Sequence, residues 1–270
     1  HYYTLTGSWS NKGHATRFDE AEWFETMRNT MQMEEFVDGH AAIMDDFDPR
    51  ARVALIVGEW GTWHQVEEGT NPGFLYQQNS LRDALVAAWN LNLFNNRARR
   101  VRGANIAQTV NVLQAMVLTR GEEMILTPTY HVFEMFKVHQ DATRLAIDLR
   151  ATDYSFEDQV IPGVSASASR NAEGLVHLTL CNTNPNKPVD LACELRGLEV
   201  ASIAGRILTA DLMTAHNTFD EPDRVKPVEF AGAMIEGEAM NIALPAMSVV
   251  ALELQVPELD LTGTQRHEDG

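Results

Sequence analysis

The sequence predicts an α/β segment followed by an all-β segment. Two observations carry that reading. Up to about residue 142, apolar residues at helical spacing alternate with short, continuously apolar runs; from about Thr143 the helical periodicity stops, and short strand candidates alternate with turn clusters.

The first helix is expected from Asp19, which with Glu22 three positions on has the pattern of an N-cap and capping box. Apolar residues then recur at Trp23, Phe24, Met27, Met31, Phe36, Val37, Ala41 and Met44, and Pro49 ends the pattern. Arg52–Gly58 is apolar without alternation, as expected of a parallel strand covered on both faces. Residues 61–79, with glycines at 61, 69 and 73, read as a long loop. Ser80 and Asp83 cap a second helix with an apolar stripe at Leu81, Ala84, Leu85, Ala88 and Trp89. A strand at 102–106 and a helix at about 108–118 follow. Thr127 then caps a further helix with Pro128 in its first turn. The later strand candidates are 143–149, 174–181, 189–195, 199–209 and 246–255, and the tail after Pro257 reads as loose.

Composition narrows the function. The 270 residues carry 21 Lys plus Arg against 38 Asp plus Glu, a formal charge of -17, which repels nucleic acid and anionic lipid. Apolar runs such as Val53–Val57 are too short to cross a bilayer. Cys181 and Cys193 are too few for a disulfide framework. The chain opens at His1 without Met, so the expectation is a processed or truncated product. The nine histidines lack metal-ligand spacing, and neither a phosphate-loop pattern nor a metal motif is present, so no cofactor or metal is expected.

Four segments have the residue types for chemistry. In Val57-Gly-Glu-Trp-Gly-Thr-Trp63 a buried strand delivers Glu59 at its C-terminal end, where parallel β/α folds place their sites. Trp60 and Trp63 offer faces for a sugar ring, and Gly58 and Gly61 offer a ligand close approach to the backbone. In the loop before the first helix, His1 and Tyr3 at i and i+2 project to one side of an extended segment. An N-terminal His can also chelate copper, but the helix that follows argues against it. Gln108 and Asn111 stand at a strand-to-helix junction, suited to bonding substrate hydroxyls or to capping. His131, in the capped helix after Thr127, reads as a packing residue.

Taken in order, His-Tyr-Tyr-Thr at 1–4, Gly-Glu-Trp-Gly at 58–61, Leu-Arg-Asp-Ala-Leu at 81–85, Asn-Ile-Ala-Gln-x-Val-Asn at 105–111, Thr-Pro-Thr-Tyr-His-Val-Phe at 127–133 and Lys-Val-His-Gln-Asp at 137–141 resemble the C-terminal half of glycoside hydrolase family 51 α-L-arabinofuranosidases. The resemblance covers about residues 1–255. It implies the last strands of a (β/α)8 TIM barrel over 1–142, a jelly-roll-type antiparallel β-sandwich over 143–258, and a tail over 259–270. It implies Glu59 as catalytic nucleophile, His1 and Tyr3 lining the sugar pocket, Trp63 as a wall and Gln108 bonding sugar hydroxyls, in a retaining mechanism. The substrate would be an arabinose-containing oligo- or polysaccharide, the assembly a homo-oligomer, commonly a hexamer, and the compartment the cytoplasm. The family's acid/base is a Glu preceded by Asn. This chain has no Asn-Glu pair. The expected partner is therefore an N-terminal half of the barrel that supplies it. The alternatives are an endo-glucanase or xylanase of the same family, or a non-catalytic fragment whose sandwich serves assembly or polysaccharide binding.

Overall fold

The computed structural model describes residues 1–237 and 239–256. Three parallel strands open the chain: β1 (Tyr2–Thr4), β2 (Leu55–Thr62) and β3 (Val101–Ile106), side by side in that order. Helices α1 (Glu20–Phe47) and α2 (Leu81–Asn96) connect them, giving two successive βαβ units. Asp19 caps α1 as expected, its side chain accepting from the Glu22 N–H. Ser80 and Asp83 form a complete capping box on α2.

A hairpin, β4 (Val117–Arg120) with β5 (Glu123–Leu126), leads into α3 (Pro128–Phe136), capped by Thr127. The antiparallel part begins with β6 (Thr143–Leu145), the hairpin β7 (Asp153–Phe156) and β8 (Gln159–Pro162), and β9 (Val164–Arg170). It continues through β10 (Val176–Asn182), β11 (Val189–Glu194), β12 (Ser202–Leu208) and β13 (Val228–Glu229). The last strands are β14 (Ala233–Glu236), β15 (Ala239–Leu244) and β16 (Ser248–Gln255). A six-stranded sheet, ordered β13-β12-β16-β10-β9-β6, faces a three-stranded one, β11-β15-β14.

Strand periodicity decides which core each side chain enters. Along β10, Val176, Leu178 and Leu180 pack inside the sandwich with Val250, Leu252, Leu254, Met240 and Ile242. Cys181 and, on β16, Val249 instead join the core formed by the helices and the parallel sheet. The six-stranded sheet is thus covered on both faces. On its outer face it meets α2, where Asn92 Oδ1 accepts from Ser167 Oγ at 2.8 Å and Thr179 Oγ1 at 2.7 Å. Close by, the His139 ring contacts Ser169 Oγ at 2.7 Å and Thr179 Oγ1 at 2.9 Å.

The structure corrects four expectations. Residues 108–118 form no helix. Asn111 and Leu113 have φ of 60° and 53°, the Asn111 side chain pins Thr119, and Leu118 is buried against Ile125. Two of its apolar residues, Ala115 and Leu118, fill a small separate core with Ile125. Strand β2 runs on to Thr62, so Glu59 sits within the strand and the loop begins later. That strand is not covered on both faces, since Ile56 is 51% exposed. Helix α2 is not one-sided: it is buried nearly all round because a sheet flanks it on either side. Strands β4, β5, β7–β9 and β13–β15 escaped the sequence reading, the opening segment read as a loop holds β1, and the tail expected to be loose after Pro257 lies outside the described residues.

Because Leu85 is wholly buried in the second turn of α2, Leu85→Ala is expected to cost about 2–5 kcal/mol through lost transfer energy and an uncollapsed cavity. Urea unfolding with an unchanged slope checks it.

Candidate active site

Strict alternation puts residues 57 and 60 of a strand on opposite faces, yet Val57 and Trp60 are both buried in the helix-side core. A bulge reconciles them. Val57 pairs with Ala104 and Trp60 with Ile106, so three steps of β2 match two of β3. The interrupted register turns Glu59 to the opposite face, where its side chain keeps 41% of its exposure.

The neighbouring strand supplies its partners. Tyr2, paired with Trp60, points to the helices, where its ring meets Phe36 and its hydroxyl donates to Asn29 O. Thr4 and Thr6 bond the hydroxyls of Thr30 and Thr26 on α1. His1 and Tyr3 face the other way, as period-two geometry demands, and both reach the same oxygen. Tyr3 Oη donates to Glu59 Oε2 at 2.8 Å, and His1 Nδ1 lies 3.2 Å from it. Among the described residues no donor reaches Glu59 Oε1. Burial, then the Glu59 carboxylate beside it, pushes the Tyr3 phenol up to about 12, so Tyr3 keeps its proton at neutral pH.

Trp63, whose N–H bonds Thr4 O at 3.1 Å, stands edge-on to Tyr3 at 5.1 Å between ring centres. Gln108, which opens the segment after β3, is exposed, and none of its hydrogen bonds leads to this cluster. It lines a cavity of about 570 Å³ with Phe74, Tyr76 and Asn111. The structure thus brings His1, Tyr3 and Trp63 to Glu59 and leaves Gln108 apart. The glycines also differ from expectation. A Cβ on Gly58 would lie 3.3 Å from His1 Nε2, and one on Gly61 3.2 Å from Gln114 Oε1. Protein side chains, rather than a ligand, occupy the space they leave.

Beneath the site lies a buried polar group. Asp83 Oδ1 accepts from Thr62 Oγ1 at 2.5 Å and from His64 Nε2 at 3.1 Å; Oδ2 accepts from the Ser80 N–H at 2.7 Å. Arg82 lies over the Phe18 ring and donates to His14 O at 2.8 Å and to His64 Nδ1 at 3.4 Å. Gln114 accepts from the Thr62 N–H and donates to Asp83 O and Thr129 Oγ1. Burial raises the Asp83 carboxyl, but His64, Arg82 and Thr62 outweigh it and hold the group below the ordinary carboxylate range. Burial and Arg82 push His64 down, so it stays neutral. The sequence signal for Asp83 was its capping box alone; its bonds to Thr62 and His64 join residues 19 and 21 positions apart.

Parallel strands presenting a carboxylate beside aromatic rings, followed by an antiparallel sandwich, define a β/α scaffold with an appended β-domain. Comparison with known proteins narrows this. The family described as α-L-arabinofuranosidase C-terminal domain matches residues 58–248. An intracellular exo-α-L-arabinofuranosidase of Bacteroides ovatus is 45% identical over 94% of the chain and 50% of its own length. The crystal structure of a family 51 arabinofuranosidase from Xanthomonas axonopodis pv. citri superposes with a TM-score of 0.92 at 48% identity, over 94% of this chain and 52% of that one. An arabinofuranosidase from Thermotoga maritima shares the fold, with a TM-score of 0.73 at 20% identity over 87% of this chain. The chain belongs to the α-L-arabinofuranosidase C-terminal domain family, and it spans about half the length of the relatives it matches.

Asp83→Asn is expected to cost about 3–5 kcal/mol, since it removes the buried charge that faces Arg82 and His64 and accepts from Thr62 and Ser80. Acid should act the same way. With a depressed folded pKa, Asp83 contributes stability that is present above the unfolded carboxyl value and lost as pH falls through the folded one. His64, also depressed, takes up a proton on unfolding below about pH 6.5, which again favours the unfolded chain. The thermal midpoint should therefore fall below about pH 6.5 through His64 and fall further below about pH 4 through Asp83, and this second part should vanish in Asp83→Asn.

Proposed function

We propose that this chain is the C-terminal half of a retaining glycoside hydrolase that releases terminal α-L-arabinofuranosyl groups from arabinan or arabinoxylan. One observation carries the reading. Glu59 is held through Oε2 by Tyr3 and His1 while no donor among the described residues reaches Oε1. A nucleophilic carboxylate needs that asymmetry, with one oxygen fixed and the other left to attack. The names of the Bacteroides and Xanthomonas relatives supply the substrate class.

In the first step Oε1 attacks the anomeric carbon, and the glycosidic oxygen leaves with a proton from a general acid. The resulting glycosyl ester on Glu59 is opened by water, whose proton returns to the same acid, now acting as base. Tyr3 and His1 orient the attacking carboxylate, Trp63 walls the sugar, and Gln108 bonds sugar hydroxyls at the head of its cavity. The acid/base carboxyl comes from polypeptide outside these residues, the barrel's N-terminal half.

The surface supports such a partner. Strands β1 and β3 are the outer strands of an open three-stranded parallel sheet. Helix α1 also exposes Phe36, Ile43 and Phe47, at i, i+7 and i+11 on one face. In this reading residues 1–142 complete the barrel and 143–258 form the sandwich. The assembled enzyme is a homo-oligomer, with a hexamer as the arrangement the family resemblance implies. An intracellular location follows the name of the Bacteroides relative and the two free cysteines. No helix among the described residues is long and apolar enough to cross a membrane.

The test is hydrolysis of an aryl α-L-arabinofuranoside by the chain joined to its N-terminal half. Glu59→Gln should lower kcat by several orders of magnitude with the fold intact, and azide should restore turnover to Glu59→Ala with inverted product. Full activity of Glu59→Gln overturns the assignment. Tyr3→Phe and Gln108→Ala should each cost about 1–3 kcal/mol in kcat/KM for a lost hydrogen bond. An unchanged kcat/KM removes that residue from the site.

A further inference from the structure

The aromatic cluster at Glu59 continues beyond Trp63. Trp9 meets Trp63 edge-on, with ring centres 5.4 Å apart, and keeps 62% of its surface exposed. It is not loosely displayed. Residues 6–13 close into a tight turn through Gly13 N–Thr6 O, Ser8 N–Asn11 O and Asn11 N–Ser8 O bonds. Gly7, at φ +76°, permits this, because a Cβ there would lie 2.5 Å from Asn11 O. Lys12 Nζ donates to Trp9 O at 2.6 Å and sits 5.3 Å from the Trp9 ring centre and 5.2 Å from that of Trp63. One ammonium thus ties both indoles to one backbone turn.

An exposed tryptophan costs solvation that nothing within the described fold recovers, yet this one is fixed by a cation, a closed turn and a second indole. The series Glu59, Tyr3, Trp63, Trp9 leads outward from the carboxylate. We propose that Trp9, clamped by Lys12 onto Trp63, is a binding platform for the leaving-group side of the substrate, and that it takes a pyranose ring of a β-1,4-xylan backbone. The choice of ring is physical. An equatorially substituted xylopyranose has flat C–H faces that cover an indole, whereas a puckered arabinofuranose offers fewer coplanar C–H groups. This inference rests on the hydrolase reading of Glu59 and refines it from arabinan or arabinoxylan to arabinoxylan.

The platform can be read by binding to this chain alone. Its five tryptophans give five indole N–H signals in a ¹⁵N-labelled sample. Titration with xylotetraose should shift the Trp9 and Trp63 signals saturably and leave those of the buried Trp23, Trp60 and Trp89 in place. α-1,5-Arabinotetraose should shift none of them at the same concentration. Trp9→Ala, at an exposed position, should fold normally and weaken xylotetraose binding roughly tenfold, and Lys12→Ala should weaken it less. No shift at Trp9 and Trp63, equal response to arabinotetraose, or unchanged affinity in Trp9→Ala overturns the proposal. In the complete enzyme, Trp9→Ala should lower kcat/KM on arabinoxylan while leaving methyl α-L-arabinofuranoside, whose leaving group has no ring, within about twofold. Absence of Glu59-dependent hydrolysis of that methyl glycoside counts against the hydrolase reading and does not touch the binding result.

Discussion

A single buried carboxylate, Asp83, ties together the segments that surround the candidate site. One oxygen closes the cap of α2 through Ser80, and the other receives Thr62 from the end of β2 and His64 from the loop beyond. The charge is tolerable at zero exposure because Arg82 lies beside it and every contact is a hydrogen bond. Gln114 extends the arrangement to the segment after β3 and to α3. Loops from both strand ends therefore share one anchor, and the strand carrying Glu59 is held at its exit as firmly as along its ladder.

On that strand and its neighbour β1, two local rules place the chemistry. Period-two alternation sorts residues 1–4, sending Tyr2 and Thr4 to α1 and His1 and Tyr3 to the open face. The bulge between Val57 and Trp60 then lets β2 bury both of those residues and still present Glu59 to the same open face. Without the extra residue, either Trp60 or Glu59 would face the wrong way. The bulge thus decides whether the carboxylate meets Tyr3 at all.

The sandwich contributes from behind. Its six-stranded sheet offers α2 a polar seam, Ser165, Ser167 and Thr179 against Asn92, where a purely apolar contact could slide. Directional bonds fix the helix along its axis as well as against the sheet. Trp23 adds a second tie, its indole N–H donating to Thr183 O across the two layers. Through α2 and its capping Asp83, the β-domain braces the strand end that carries the candidate site, although none of its residues contacts Glu59 Oε2.

Sequence alone determined what depends on short-range periodicity and on residue chemistry. The caps at Asp19, Ser80 and Thr127, the two parallel strands β2 and β3, the change to antiparallel strands near Thr143 and the placing of His1 and Tyr3 on one side were legible, because each follows from neighbours within a few positions. Tertiary structure decided the rest. The segment 108–118 had helical spacing but forms no helix: Asn111 and Leu113 have positive φ, and Ala115 and Leu118 fill a separate core. Ser165, Ser167 and Thr179 form the seam against α2, a contact made with a residue more than 70 positions away. The bulge at Glu59, the burial of Asp83 and the Trp9–Lys12–Trp63 cluster arise from contacts between residues far apart in sequence or from pairing with another strand. Periodicity records which face a residue turns; only packing determines what stands opposite it.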